Sequence, residues 1–165
     1  NSTSSVALNG AVPQTGTGIT FPATQSASSN ANTLDDYEEG TWTATFTTDG
    51  GSVTTSATIR YGFYTKIGNQ VTVTCQVTAT AISSPTGGLY IGTLPFPSSS
   101  TTGMDFSVSV SGNNFGALAA TALVGNISVN FSYIQINSYS AGAQSLMATN
   151  LTATSTVTIT ATYFV

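Results

Sequence analysis

The sequence predicts an all-β fold, an antiparallel β-sandwich of the jelly-roll type with about eight to ten strands. From Thr41 onward, apolar and polar residues alternate, which is the pattern of strands that are buried on one face. Clusters of Gly, Pro, Asn and Ser interrupt this alternation roughly every 8 to 12 residues, and almost no stretch favours a helix. The sequence has no exact internal repeat, which argues against a β-helix or a propeller.

Turn signals separate the predicted strands. They lie at residues 49–51, 67–70, 83–88, 98–103, 111–114 and 138–144. The segment from Ile127 to Ile136 changes the phase of its alternation, which predicts one strand with a β-bulge near Ser132 and Tyr133. Threonines fill most of the alternate positions. Because their branched side chain suits a strand and their hydroxyl bonds to water or to a neighbouring strand, we expect them on the outward faces.

Charged residues make up only 5% of the chain, against roughly 25% in ordinary soluble domains. The net charge is −4, and Arg60 and Lys66 are the only basic residues. Two cations cannot form the basic surface that nucleic acid or anionic lipid requires. No apolar run of about 18 residues is present, so no membrane insertion is expected. A surface of hydroxyls and amides suits contacts with other copies of the chain or with sugars.

The sequence divides into an N-terminal segment, residues 1–31, and a predicted β-sandwich domain, residues 32–165. The first segment is polar with scattered apolar residues, and we interpret it as an extended arm or a stalk-end linker. An acidic block opens the domain; its carboxylates are Asp35, Asp36, Glu38 and Glu39. We expect a helical turn capped by Thr33, with Tyr37 and Trp42 closing one end of the sandwich as a structural junction. A cation site or an acid–base pair is the alternative interpretation.

The residues favour no catalytic site. Glycoside hydrolysis requires two carboxylates on either side of a sugar, and outside the acidic block only Asp49 and Asp105 remain, far apart in sequence. The chain has no histidine, which excludes a Ser-His-Asp triad and removes the commonest metal ligand. The acidic block lacks the spacing of a calcium loop, and Arg60 or Lys66 is an alternative partner for it. We therefore predict neither a metal nor a cofactor, and we expect the single cysteine, Cys75, in the core.

Sugar binding requires an aromatic ring near amides and hydroxyls. Two predicted loops offer this combination. The candidate glycan-binding residues are Asn113, Asn114, Phe115, Tyr139 and Gln144. Tyr90 and Tyr133 are weaker candidates because they lie within predicted strands.

Three blocks of the sequence resemble a known group of proteins. The blocks are GITFPATQSASSNANTLDDYEEGTWTATF (18–46), YGFYTKIGNQVTVTCQV (61–77) and GLYIGTLPFP (88–97). In order and spacing they resemble the C-terminal receptor-binding domain of tailed-bacteriophage tail fibres and tailspikes. The resemblance covers roughly residues 18–97, and beyond Ser98 only the general β character is shared.

This resemblance implies a non-catalytic host-attachment module on the virion, at the tip of a tail fibre or tailspike. It implies a homotrimer whose partner is a bacterial surface polysaccharide, a lipopolysaccharide or an outer-membrane receptor. Three linked copies would turn weak sugar contacts into strong attachment. Two alternatives remain: a structural cap that trimerises a fibre and binds nothing, and a polysaccharide depolymerase.

Overall fold

The protein consists of β-strands and connecting turns. The computed structural model describes residues 12–14, 18–116, 122–140, 143–146 and 148–165, and these contain no α-helix and one short 3₁₀ helix, Ala148–Asn150. The strands are β1 (Val12–Gln14), β2 (Gly18–Thr20), β3 (Tyr37–Trp42), β4 (Thr45–Ile67), β5 (Gln70–Gly92), β6 (Phe106–Asn113), β7 (Ala122–Ile127), β8 (Ile134–Ser140), β9 (Ala143–Leu146) and β10 (Thr156–Phe164). The predicted all-β character is thus confirmed.

The five strands β5, β10, β6, β7 and β8 close into an antiparallel barrel. Closure depends on the length of β5, whose two ends pair with different strands. Residues 70–78 of β5 pair with β10, and residues 89–91 pair with β8. Strands β4 and β3 extend the sheet outside the barrel beyond β5, and β9 pairs with the second half of β8.

The predicted antiparallel β-sandwich of the jelly-roll type is therefore wrong. A sandwich has two sheets packed face to face, whereas here β8 pairs back with β5 of the same sheet. The sequence pattern did not distinguish the two because both give strands that alternate between a core face and a solvent face. The decisive pairing, β5 with β8, joins residues more than forty positions apart along the chain.

Strands β4 and β5 form one long hairpin. Its loop has two residues, Gly68 and Asn69. Gly68 has a φ of 57°, and the favoured two-residue hairpin loops require a positive φ at the first loop residue. Two predicted turns, at residues 49–51 and 83–88, lie inside these strands instead. There the pairing slips at Gly50 and at Ser52, and Gly51 adopts a φ of 71°. These glycines therefore make bulges rather than a chain reversal.

The predicted single strand from Ile127 to Ile136 is also wrong. The phase change marks a turn between β7 and β8, in which Asn130 has a φ of 59°. The two strands pair antiparallel, with Val124 opposite Asn137. A turn and a bulge both shift the alternation by one residue, so the pattern alone did not separate them.

The barrel interior is filled by apolar side chains, most of them aliphatic. Its fully buried members include Val71, Val73, Val77, Leu89, Ile91, Ile127, Ile134, Ile136, Val157, Ile159 and Tyr163. Cys75 lies among them, as predicted, and burial raises the pKa of its thiol to about 12. On the outer face, threonines of β5 and β10 bond across the strands, with 2.8 Å between the hydroxyls of Thr78 and Thr156. This matches the expected placement of the threonines.

Trp42 packs on Gly62 of the neighbouring strand, and this contact leaves no room for a side chain at position 62. A Cβ at position 62 would lie 2.5–2.7 Å from three atoms of the indole ring. We expect Gly62→Ala to lower the free energy of unfolding by about 1–3 kcal/mol, because the buried ring cannot move aside freely. Urea denaturation measures this. Gly92→Ala is the control, since its nearest atoms lie at 3.5–3.7 Å, and an equal loss in both variants would contradict the steric explanation.

Candidate functional site

A polar depression of about 500 Å³ lies on the outer face of β7 and β8. The strand register creates it: Val124 lies opposite Asn137, and Asn126 lies opposite Gln135. Alternate residues of β8 point outward here, while Ile134 and Ile136 between them point into the barrel. The described residues that line the depression are Asp105, Val124, Gly125, Asn126, Gln135, Asn137 and Tyr139. Three primary amides, one carboxylate and one phenol thus share a single surface.

Asn137 is the unusual member of this lining. It has no exposed surface, and neither its amide nitrogen nor its carbonyl oxygen has a hydrogen-bond partner among the described residues. By contrast, Asn126 donates to the hydroxyl of Ser128 over 3.1 Å. An unpaired buried amide costs about 1–3 kcal/mol. Such a group in the wall of a depression indicates a place where a ligand can complete the hydrogen bonding.

An aromatic row borders the depression; we use this name for Tyr90, Tyr133 and Phe131. Tyr90 lies opposite Gln135 in the sheet, which brings the row up to the lining. The rings of Tyr90 and Tyr133 meet edge to face with 4.8 Å between their centroids. The rings of Tyr133 and Phe131 stack with 4.5 Å between their centroids. Phe131 is 38% exposed and Tyr139 is 43% exposed, so both rings have solvent-accessible surface.

Hydrogen bonds hold the turn that carries Phe131. Its backbone amide donates to the hydroxyl of Ser98 over 3.0 Å, and its carbonyl accepts from the amide of Ser98 over 2.9 Å. The backbone amide of Leu94 donates to the carbonyl of Ser132, and the backbone amide of Asn130 donates to the carbonyl of Ser99. These bonds fix the backbone of the turn that carries the exposed ring of Phe131, and a rigid backbone lowers the entropy cost of any contact that the turn makes.

The predicted glycan-binding residues lie in different surroundings. Tyr139 lines the depression, whereas Asn113 is an exposed residue at the end of β6. Asn114 has a φ of 58°, and its carbonyl accepts bonds from the hydroxyls of Thr152 and Ser155. Phe115 is half-buried and packs against the core.

The backbone of Gln144 pairs with Tyr139, but its side chain lies outside the described residues. The end of β6 and the start of β7 lie together, since a Cβ atom added to Gly112 would lie 3.0 Å from the Leu123 side chain. Tyr139 pairs with Ala122 at that same end of β7. The two predicted loops therefore approach one another, although Phe115 is partly enclosed.

Sequence reasoning missed Asn137, Gln135, Asn126 and Asp105. A signal was present, because Gln135, Asn137 and Tyr139 alternate with two isoleucines along one strand. Because residues 127–136 were predicted to form a single strand, the antiparallel pairing that places Asn126 beside Gln135 was not expected. Asp105 lies outside the strands, and only the tertiary structure brings it to this surface.

The acidic block forms a compact set of contacts rather than the predicted helical turn. Residues 37–42 are strand β3, which pairs with β4. Asp36 and Lys66 form a buried ion pair, and the Lys66 ammonium also donates to the side-chain oxygen Oε1 of Gln25 over 3.4 Å. The backbone amide of Ser28 donates to Asp35 over 2.7 Å, which lowers the pKa of that carboxyl.

The two glutamates of the block accept hydrogen bonds from tyrosines. Tyr37 donates to Glu39 over 2.7 Å, and Tyr64 donates to Glu38, which raises the pKa of Tyr64 to about 12. Trp42 is buried beside Gly62, and its indole nitrogen has no partner among the described residues. Each carboxylate thus has a partner within the chain, and the role of structural junction remains a prediction.

A second depression, of about 450 Å³, lies between residues 19–23 and Tyr37, Glu38 and Glu39. It is the crevice where the segment after β2 crosses β3. Strands β1 and β2 pair with each other in a separate two-stranded sheet. Residues 1–11 and 15–17 lie outside the described residues, so the predicted extended arm is not tested.

Within the described ranges, no group of three or more Cys, Asp or Glu residues is placed to hold a metal ion. Asp105 is the single carboxylate among the described residues that line the polar depression, and Asp49 instead accepts a 2.6 Å bond from the amide of Gly88. No helical segment in the described part of the chain has the length and apolar character to cross a membrane.

Comparison with known proteins identifies one informative likeness. No family model and no curated protein matches the chain. Among solved structures, the Dettilon tailspike protein (gp208) matches with a TM-score of 0.69 and 21% sequence identity over 78% of this chain. The chain covers 24% of that protein's length. The chain therefore shares its fold with a segment of a tailspike protein.

Proposed function

We propose that this protein is a non-catalytic host-attachment module of a phage tail fibre or tailspike, exposed on the virion, that binds a bacterial surface polysaccharide or lipopolysaccharide. The observation that carries the proposal is the polar depression together with the aromatic row beside it. Amides that bind hydroxyls directly and rings that stack on the apolar face of a sugar are the two elements that glycan recognition needs. The structural likeness to a tailspike supports an attachment-related role.

The composition of the depression argues for binding rather than hydrolysis. Glycosidases usually place two carboxylates about 5–10 Å apart across the scissile bond. Here Asp105 is the single carboxylate among the described lining residues. The remaining polar groups are amides and a phenol, which donate and accept hydrogen bonds to sugar hydroxyls without taking part in proton transfer at neutral pH.

We further propose a homotrimer, for which an apolar face on β3 and β4 provides a contact surface. The face consists of Tyr37, Tyr61, Phe63 and Ile67, which are 41–58% exposed. Strand pairing sets Tyr37 opposite Ile67, and the alternation of β4 puts Tyr61, Phe63 and Ile67 on one side. A contiguous apolar patch of this kind is typical of a contact between subunits. It lies on strands outside the barrel, so that assembly through it leaves β7 and β8 available.

The direct experiment measures retention of a panel of bacterial surface polysaccharides by the purified protein. We expect Tyr139→Ala to weaken binding about tenfold, which corresponds to about 1.4 kcal/mol. Tyr139→Phe keeps the ring and should retain most of the affinity. Silence of the wild-type protein across the panel, or equal binding by all three proteins, would contradict the proposed glycan site.

The apolar face also favours a second candidate function, a structural cap that trimerises a fibre and binds nothing. Sedimentation of a Tyr61→Ser, Phe63→Ser double variant tests the contact. A stable trimer that loses its assembly in this variant and retains no glycan in the wild type would support the cap. Release of reducing ends from a polysaccharide by the wild-type protein would instead establish a depolymerase.

A further inference from the structure

We infer that the polar depression selects uncharged sugar residues that present a hydrogen-bond donor and an acceptor side by side, and that it discriminates against acidic sugars. The shared chemistry is that of a vicinal diol or an acetamido group. This inference rests on the proposed glycan-binding function and goes further by naming the class of sugar. Two observations carry it: the unpaired amide of Asn137 and the charge of the lining.

The first observation concerns the hydrogen-bonding groups that a ligand needs in order to pair with the Asn137 side chain. Its side chain has a donor, the Nδ2 amide, and an acceptor, the Oδ1 carbonyl, and both are unpaired among the described residues. A pair of neighbouring hydroxyls, or the N–H and C=O of an acetamido group, satisfies both atoms at once. A carboxylate or a sulfate offers acceptors only and leaves Oδ1 unpaired. Because Asn137 is fully buried in the free protein, contact with it requires the groups that cover its amide to move.

The second observation is the sign of the charge at the depression. Asp105 is exposed and lines it, and no basic residue is among the described residues that line it. The chain has only two basic residues: Lys66 is paired with buried Asp36, and Arg60 is on β4, opposite Val77 of β5. An acidic sugar would therefore meet a like charge with no cation to compensate it. Such repulsion at a partly enclosed surface amounts to about a tenfold change in affinity at low salt.

The test uses matched polysaccharides and matched variants of the full chain. Each uronic-acid polysaccharide in the panel is compared with its carboxyl-reduced form, which has the same backbone and no charge. Neutral polysaccharides with vicinal diols and others with acetamido groups form separate arms, so that the source of the donor–acceptor pair is identified. The variants are Asp105→Asn and, as the control, Glu39→Gln, which removes one exposed negative charge on β3.

We expect the wild-type protein to bind carboxyl-reduced forms about tenfold more tightly than their acidic parents, with the difference shrinking as salt is added. Asp105→Asn should remove most of that difference, and Glu39→Gln should leave it intact. Equal affinity for acidic and reduced forms, in a binding mode that Tyr139→Ala weakens, would overturn the inference while the proposed function stands. If the wild-type protein retains no polysaccharide of either kind, the proposed function fails and the inference fails with it.

Discussion

Replacing Lys66 by methionine is expected to lower the free energy of unfolding by about 3–5 kcal/mol, the usual cost of removing one partner of a buried ion pair. The ammonium of Lys66 and the carboxylate of Asp36 are both almost fully buried, with side-chain exposures of 6% and 7%. Methionine fills a similar volume but leaves the Asp36 charge without its partner. Thermal or urea denaturation at a fixed protein concentration measures the loss.

Two further variants make this result specific. Arg60→Met removes the other basic residue of the chain, which is exposed, and should change stability by no more than about 0.5 kcal/mol. The double variant Asp36→Leu, Lys66→Met removes both charges and should recover most of the lost stability, because apolar pairs of similar volume often replace buried ion pairs without loss. A double variant as unstable as Lys66→Met alone would show that the loss comes from packing rather than from an unpaired charge.

Replacing Asn137 by leucine is expected to have the opposite effect on stability. Leucine has a similar shape and removes a buried donor and acceptor that have no partners among the described residues. We therefore expect stability to rise by about 1–3 kcal/mol, the cost of leaving such groups unpaired. Glycan binding by the same variant should fall, because the amide proposed to bind the sugar is gone. A functional site that carries a stability cost produces this combination of gain and loss.

The matched control for Asn137→Leu is Asn126→Leu on the neighbouring strand. Asn126 also lines the depression, but its amide is bonded to Ser128. Its replacement should therefore bring no gain in stability. If Asn137→Leu lowers the melting temperature as much as Asn126→Leu does, Asn137 has a structural role and the proposed part in binding is wrong.

The sequence predicted the buried face of single strands correctly, but it did not predict every turn. The alternation of Val71, Val73, Cys75 and Val77 predicted a buried strand face, and all four residues are in the core. The threonine content predicted outward-facing threonines whose hydroxyls bond to water or across strands, and such bonds join β5 and β10. In contrast, the turn signal at Asp49-Gly50-Gly51 led to a false chain reversal. Glycine at a bulge and glycine at a turn give the same local pattern.

For the candidate site, the sequence indicated Tyr139 but not the residues around it. Its aromatic character and its position near a predicted loop were local features. The depression itself requires Asn126 beside Gln135, and the aromatic row requires Tyr90 beside Gln135. These neighbours depend on strand register between separate parts of the chain, which no local pattern encodes.

Taken by itself, the sequence determined the class of this protein: an all-β chain whose strands have one buried face and an outer face rich in hydroxyls and amides. The tertiary structure decided that the sheet closes into a barrel, that Lys66 is buried with Asp36, and that the side-chain amide of Asn137 has no hydrogen-bond partner in the described part of the chain. The physical reason is the range of the interactions. Alternation reflects the burial of each residue within its own strand, whereas closure and register depend on hydrogen bonds between strands far apart in the chain.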